Sequence, residues 1–346
     1  MALARAGYDT SSYIAFEIDK YAKAISRYNN PNALQCGDVL DADFRKYAGY
    51  DIVMGGSPCT FWSIAKHNRE VNKDGKGWAL FMRFVEAVRQ IQPRYFLYEN
   101  VASMPSNIKD FISEEFGCEP VYINSALVSA QHRKRLYWTN IKDITQPCDM
   151  GLLLNDILDT GYDDTADKSQ NELTALYREK ALSTVKNQKT GLSATGEVGA
   201  ALRTRADENG SFKRLEVRND GKLNAITTVL TDSVICSPVR IGSIGSGAQG
   251  HRVYSVYGKT VSLMANGGGR GAKTGLYKVN LPDGDYTVRK LTAIEAERCQ
   301  TLPDNFTALG IDDSGKTVKI SDTQRYRAVG NAWTVDVIAH IFSHMV

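Results

Sequence analysis

Short apolar runs alternate with helical periods along the first 140 or so residues. Residues 13–19 form an apolar run ending in acids, the pattern of a buried strand opening into a loop. Residues 20–28 then take helical spacing, with Tyr21, Ala24, Ile25 and Tyr28 on one face. A second short strand, 51–54, is closed by Gly55-Gly56-Ser57-Pro58. The clearest helical stretch is 78–91, where Phe81, Phe84, Val85, Val88 and Ile91 keep the helical period and Pro93 stops it. Further strands are expected at 95–98, 121–128 and 136–141. Strands separated by helical stretches predict parallel βαβ units, and ligands of such sheets bind beyond the carboxyl ends of the strands. Glu17, Cys59 and Glu99 are expected there.

The pattern changes near residue 145. From 151 to about 290 the long helical periods disappear, and segments such as 242–247 and 267–271 read as glycine-rich loops. Residues 201–280 hold twelve Lys or Arg against five Asp or Glu, whereas 151–200 is acidic. A local basic excess is the electrostatic footprint of a phosphate-binding face, and equally of a solvated loop region. Helical spacing returns at 291–299 and 326–344. The organisation expected is an α/β domain over 1–144, a smaller loop-rich domain over 145–288, and helices at 289–346 that rejoin the first.

Composition narrows the class. With 346 residues, 42% hydrophobic and 23% charged, the chain sits near the globular average and can bury a core without staples. No apolar run approaches the length of a membrane span, and no export signal is visible at the start. Cys36, Cys59, Cys118, Cys148, Cys236 and Cys299 form no CxxC pair. That spacing argues against a zinc site or disulfide framework and fits a reducing cytoplasm. The net charge of +3 names no partner by itself.

Three segments carry chemistry. In Gly55-Gly56-Ser57-Pro58-Cys59-Thr60 a thiol follows a strand and a turn, and Pro58 restrains both itself and Ser57. A thiolate so presented is a nucleophile, although an isolated cysteine is more commonly a small buried hydrophobe. Glu99, opening Glu99-Asn100-Val101, is either a proton donor beside an apolar wall or an ordinary loop acid or helix cap. In Gln131-His132-Arg133-Lys134-Arg135, alternation in an extended segment makes Arg133 and Arg135 project together. Two guanidinium groups on one face suit a phosphate or a base edge, or mark a solvated basic strand edge.

In this order and spacing the three segments resemble the C5-cytosine DNA methyltransferase family. Its Pro-Cys loop, Glu-Asn-Val turn and Gln-x-Arg-x-Arg strand are followed by a variable target-recognition region. A late block and a Gly-Asn turn then close the pattern. Here the late block runs from Arg289-Lys290-Leu291-Thr292 through Glu295 and Arg298 to Gln300 and Pro303, and the turn is Gly330-Asn331. The resemblance implies a Rossmann-like, S-adenosylmethionine-dependent methyltransferase sheet with a smaller target-recognition domain. It implies that Cys59 adds to carbon 6 of a flipped cytosine, that Glu99 acts at ring nitrogen 3, and that Arg135, with Arg133 supporting, anchors the base or its phosphate. Carbon 5 then takes the methyl group. Glu17 is expected on the ribose hydroxyls, Asp38 on the adenine amine, and Pro58 and Asn331 beside the donor. Arg240, Arg252, Arg270 and Lys273 are candidate DNA contacts by composition.

The resemblance also implies double-stranded DNA as partner, no metal, and a monomer in a bacterial or phage-infected cytoplasm, with or without a cognate restriction endonuclease. Two departures stand out. The family's first strand and Phe-x-Gly-x-Gly-Gly turn have no counterpart, and the chain opens on Met1-Ala2-Leu3-Ala4-Arg5-Ala6-Gly7, which resembles the helix after that turn. The expectation is an internal or truncated start, with cofactor binding weakened. Thr60 stands where many members have Gln. A catalytically silent DNA-binding remnant is the alternative reading. An RNA cytosine methyltransferase is the third, disfavoured because the Cys-Phe-Thr signature of the tRNA-directed relatives is absent.

Overall fold

The computed structural model describes residues 1–63, 69–162, 174–176, 178, 200–207, 210–217, 240–244, 249–263, 275–280 and 286–346. After a short helix α1 (Ala2–Arg5), strands β1 (Tyr13–Ala15) and β2 (Ala33–Gln35) pair in parallel across helix α2 (Lys20–Asn29). Asp19 starts α2, its carboxylate accepting from the Tyr21 and Ala22 amides. The strand expected over 13–19 stops early because Glu17 turns its carboxylate onto the amides of Ile18 and Asp19, both at 2.8 Å.

The larger sheet carries the chemistry. It contains β3 (Ile52–Gly55), β4 (Tyr95–Val101), β5 (Val121–Asn124) and β6 (Lys134–Thr139), in the order β3-β4-β6-β5. β3 and β4 are parallel, but β6 runs antiparallel to both β4 and β5. The parallel βαβ pairing expected from sequence holds for β3 and β4 and does not extend to β6. A helical crossover is needed to bring two strands parallel, and 125–133 holds only a single 3-10 turn, Ser125–Leu127. That turn also ends β5 earlier than expected, as Asn124 accepts from the Ala126 amide at 3.2 Å.

Helices cover both faces of this sheet. α3 (Lys76–Ile91) and α4 (Ser106–Phe116) press Phe81, Phe84, Ile108 and Ile112 against Tyr98, Leu136 and Trp138. Gln92, left-handed at φ 52°, and Pro93 stop α3 as expected. α4 was not expected, although Ile108, Phe111 and Ile112 keep a helical period behind Pro105.

The other face takes the end of the chain. The late block gives helix α5 (Ala293–Cys299), and the run expected at 326–344 is two helices, α6 (Asp322–Asn331) and α7 (Val335–Phe342). Extended backbone at Ala332 separates them, with ψ 160°. Val337, Ile338, Ile341 and Phe342 of α7 pack on Leu97, Ile123 and Tyr137. β4 is therefore buried on both sides, which accounts for its near-continuous apolar run.

Between these parts lie a hairpin, β7 (Ala200–Asp207) with β8 (Gly210–Val217), and a second four-stranded sheet. That sheet comprises β9 (Arg240–Ser243), β10 (Arg252–Ser255), β11 (Leu276–Asn280) and β12 (Tyr286–Arg289), in the order β12-β11-β10-β9. Lys259, buried, joins it to the first sheet by donating to the carbonyls of Ala126, Ser129 and Leu152. Burial lowers the Lys259 pKa, and Asp149 and Asp156 oppose that shift.

The late block proves architectural. Arg289 forks onto Glu295 at 2.7 and 2.8 Å, with side-chain exposures of 1% and 0%. Glu295 also accepts from the Thr292 and Asp159 amides, closing the capping box of α5 and tying it to the 150s. Removing one member strands a buried charge. Arg289→Met is expected to destabilise the fold by about 3–5 kcal/mol, read as a lower urea midpoint. An unchanged midpoint would show that the pair contributes nothing.

Candidate active site

β3 ends at Gly55, opposite Tyr98 of β4, so the chain leaves the sheet beside Glu99. Gly56 passes directly over that residue: a Cβ here would sit 2.5 Å from the Glu99 carbonyl oxygen. Only glycine fits such an approach. Ser57 follows, buried and held from three directions. The Tyr98 hydroxyl donates to Ser57 Oγ at 2.8 Å, Asn100 Nδ2 donates to the Ser57 carbonyl at 3.1 Å, and Ser57 Oγ donates to the Gly77 carbonyl at 3.2 Å. Burial pushes the Tyr98 hydroxyl up to about 12, so it stays a proton donor. Pro58 is exposed, and Cys59, of which the backbone is described, opens a one-turn 3-10 helix, Cys59–Phe61.

Glu99 lies inside β4, which runs on to Val101; it was expected just beyond the strand end. It is buried and ion-paired, Arg135 Nε to Glu99 Oε1 at 2.7 Å. Register explains the pair: Arg135 of β6 faces Val101, two residues along from Glu99. Arg135 also donates through Nη1 to the Lys134 carbonyl at 2.8 Å. Arg133 goes elsewhere. The residue is 4% exposed, and its guanidinium donates to the carbonyls of Leu263, Gly330 and Ala332 at 3.0–3.2 Å. The reading of a solvated basic strand edge is thereby corrected for both arginines, which are buried. Arg133 is a tie between β6, the second sheet's neighbourhood and the end of α6, where Gly330 and Asn331 are the last helical residues and not the turn expected. Asn331 ends α6, exposed.

Glu17 and Asp38 leave the carboxyl ends of the paired strands β1 and β2. Each spends one oxygen locally, Glu17 Oε1 on the following amides and Asp38 Oδ1 on the Leu40 amide at 2.9 Å. Beside them stand two exposed apolar side chains, Ile18 at 71% and Leu40 at 53%. Arg240 is exposed, with Nε donating to the Gly242 carbonyl, and Arg252 is partly buried. Arg270 and Lys273 lie outside the described residues. Among the described residues no group of three or more His, Cys, Asp or Glu could hold a metal, and no helix is long and apolar enough to cross a membrane.

Comparison with known proteins decides the family. The model of the C-5 cytosine-specific DNA methylases matches residues 1–346. The chain belongs to that family. It is similar to the orphan methyltransferase M.Rho11sI of Bacillus phage rho11s, 28% identical over 293 residues that cover 77% of this chain and 55% of the relative. The chain thus spans little more than half of that protein. It aligns with 90% of the orphan methyltransferase M.SPRI of Bacillus phage SPR at 24% identity, and with 84% of the type II methyltransferase M.HhaI of Haemophilus parahaemolyticus at 25%. These alignments cover 95% and 94% of this chain. Among solved structures, the Entamoeba histolytica methyltransferase EhMeth matches 99% of this chain and 93% of its own, at 13% identity and a TM-score of 0.57. That likeness bears on the fold, which is the Rossmann-like methyltransferase α/β fold expected from sequence. As a C-5 cytosine-specific DNA methylase the chain is a methyltransferase by class, and the donor its family implies is S-adenosylmethionine.

Sequence reading missed Ser57, Tyr98 and Asn100 as a unit. The signal was present in Ser57-Pro58-Cys59 and in polar Tyr98 and Asn100 two residues apart on one strand face. The Gly56 contact yields a test. Gly56→Ala is expected to cut methyl transfer by about 100-fold or more, because neither the Glu99 backbone nor the turn can withdraw without disturbing the other. Transfer at the parental rate would show the approach to be dispensable.

Proposed function

We propose that the chain methylates carbon 5 of cytosine in double-stranded DNA through a transient adduct on Cys59. The observation that supports this reading is the three-way hold on Ser57, which ties the chain entering the Pro58-Cys59 turn to the strand that carries Glu99, itself paired with Arg135. Carbon 5 of cytosine is a poor nucleophile while the ring is aromatic. Addition of the Cys59 thiolate to carbon 6 breaks that aromaticity and moves electron density to carbon 5. Hydrogen bonding or protonation at nitrogen 3 makes carbon 6 more electrophilic. Glu99 has its second oxygen for this, while Arg135 steadies the first and keeps Nη2 for the base or its phosphate. Carbon 5, now nucleophilic, takes the donor's methyl group, and loss of the carbon-5 proton then re-forms the ring double bond and expels the thiolate. Arg133 supports the strand from behind and fixes the end of α6 that carries Asn331.

The residues present fit the adenosine part of S-adenosylmethionine, which supplies an electrophilic methyl group when bound. Exposed Ile18 and Leu40 suit a purine ring. The free oxygens of Glu17 and Asp38 suit ribose hydroxyls and the adenine amine. The cytosine must leave the duplex stack, at a cost of a few kcal/mol, and the basic excess over 201–280, with Arg240, Arg252, Arg270 and Lys273 as candidates, would offset it on phosphates. The reading includes a recognition domain over 145–288, a monomer with no resident metal, and cytoplasmic action alone or beside a separate restriction endonuclease.

A duplex carrying 5-fluorocytosine tests the central step, because fluorine at carbon 5 cannot leave as a proton and the adduct persists. With donor present, a covalent complex mapping to Cys59 is expected. Cys59→Ala should abolish both complex and methyl transfer while keeping DNA affinity within about threefold. An adduct on another thiol, or unchanged transfer by Cys59→Ala, overturns the assignment. DNA binding without any adduct in the parent chain would support the silent remnant instead.

A further inference from the structure

The proposed reaction leaves unassigned the segment that runs from the Cys59 turn to α3. α3 begins beside Gly75, which has no side chain with which to cap it. Glu70 does so from across the loop, its Oε2 accepting from the Gly77 amide at 3.0 Å. A carboxylate is well suited to the unpaired amides and positive end of this 16-residue helix. The same residue faces the other way through its backbone, where the Glu70 amide donates to the Phe61 carbonyl at 2.8 Å. Gly77 is shared in turn, since its carbonyl accepts from Ser57 Oγ.

These bonds close a ring that runs from Ser57 to Gly77, from Gly77 to Glu70, and from Glu70 to Phe61. Ser57 and Phe61 are the residues on either side of Pro58-Cys59-Thr60. The ring is also tight: a Cβ on Gly77 would lie 2.7 Å from Phe61 Cβ and 2.8 Å from Glu70 Oε2. Next to Glu70, Arg69 donates to the Ser103 carbonyl at 2.9 Å, which anchors the same segment just past the Glu99-Asn100-Val101 strand end. Sequence gave no hint of this, because Glu70 sits in a polar stretch and its partners lie seven and nine residues away in opposite directions.

We propose that Glu70 is a positioning residue for the nucleophile: it locks the far side of the Cys59 turn to α3, as Tyr98 and Asn100 lock the near side to β4. The inference rests on the reading of Cys59 as the attacking group. A helix cap alone would contribute to stability and leave the geometry at Cys59 untouched. Glu70 as a lock governs the chemical step at saturating DNA and the exposure of the thiol to small reagents.

Glu70→Ala, Glu70→Asp and Glu70→Gln in the full chain separate the two, with Cys59→Ala as control. The first readout is alkylation of Cys59 by iodoacetamide, resolved by mass spectrometry against exposed Cys148 in the same molecule. It needs neither donor nor DNA. The second is the rate of trapping on the 5-fluorocytosine duplex at saturating DNA, with DNA affinity measured separately. Glu70→Ala and Glu70→Asp are expected to raise the Cys59-to-Cys148 alkylation ratio about threefold or more and to slow trapping about tenfold or more, with DNA affinity near the parental value. Glu70→Gln, which keeps an acceptor oxygen of the same reach, should stay within about twofold on both readouts. A lower melting temperature with unchanged alkylation and trapping in Glu70→Ala overturns the proposal. If that variant does not fold, parental values for Glu70→Asp overturn it equally. An adduct formed by Cys59→Ala would fell the nucleophile assignment, while the alkylation ratio would still report on Glu70.

Discussion

The hold on Ser57 is the constraint on which the rest of the site depends. A cysteine past a strand end would swing with its loop unless the chain leading to it were fixed, and here Tyr98 and Asn100 fix Ser57, two residues before Cys59. Both come from the strand that carries Glu99 between them, so the Pro58-Cys59 turn and the carboxylate are referred to one rigid element. The hold works because it is dry. Tyr98 is fully buried and donates without competition from water, whereas the same hydroxyl contact in solvent would contribute little. Gly56 completes the arrangement by letting one backbone ride on the other.

Around that centre, polar side chains deep in the protein join segments far apart in sequence. Gln300 donates to the carbonyls of Val329 and Ala332 and accepts from Thr334, whose hydroxyl also meets Ser125 after β5. Arg133 reaches the same carbonyl of Ala332 from β6. The break between α6 and α7 is thus held open by acceptors that a continuous helix would have used internally. Gly330 and Asn331 are the last residues of α6, and the chain can leave the helix there because these neighbours satisfy the carbonyls of Val329, Gly330 and Ala332.

Much of this was legible in the chain itself. The apolar runs around 52–55 and 95–98 and the period of 78–91 were readable because burial on two faces writes a continuous pattern and burial on one face writes a helical one. Cys59 and Glu99 stood out because a thiol and a carboxylate interrupt such a pattern, although Glu99 lies within β4 and not past its end. Strand direction was not readable, since a period of two is the same either way along β6. Nor was the destination of Arg133: alternation set it on one face with Arg135, but it lies just before β6 and donates to the carbonyls of Leu263, Gly330 and Ala332, while Arg135 pairs with Glu99. Glu70 and Gln300 were invisible for a related reason. Their meaning lies wholly in partners brought from elsewhere, and neither belongs to a periodic run.

The placement of α7 has a consequence for how the protein is made. Strands β4 and β6 present Leu97 and Tyr137 to a helix synthesised some 200 residues later, and Thr334 must arrive before Ser125 has its partner. During translation that apolar surface stays uncovered while the intervening second sheet emerges. Closure over such sequence distances is slow, and half-made chains with bare sheet faces are prone to stick to one another. Yield in cells should therefore respond to chaperone supply and elongation speed more than to the stability of the finished fold.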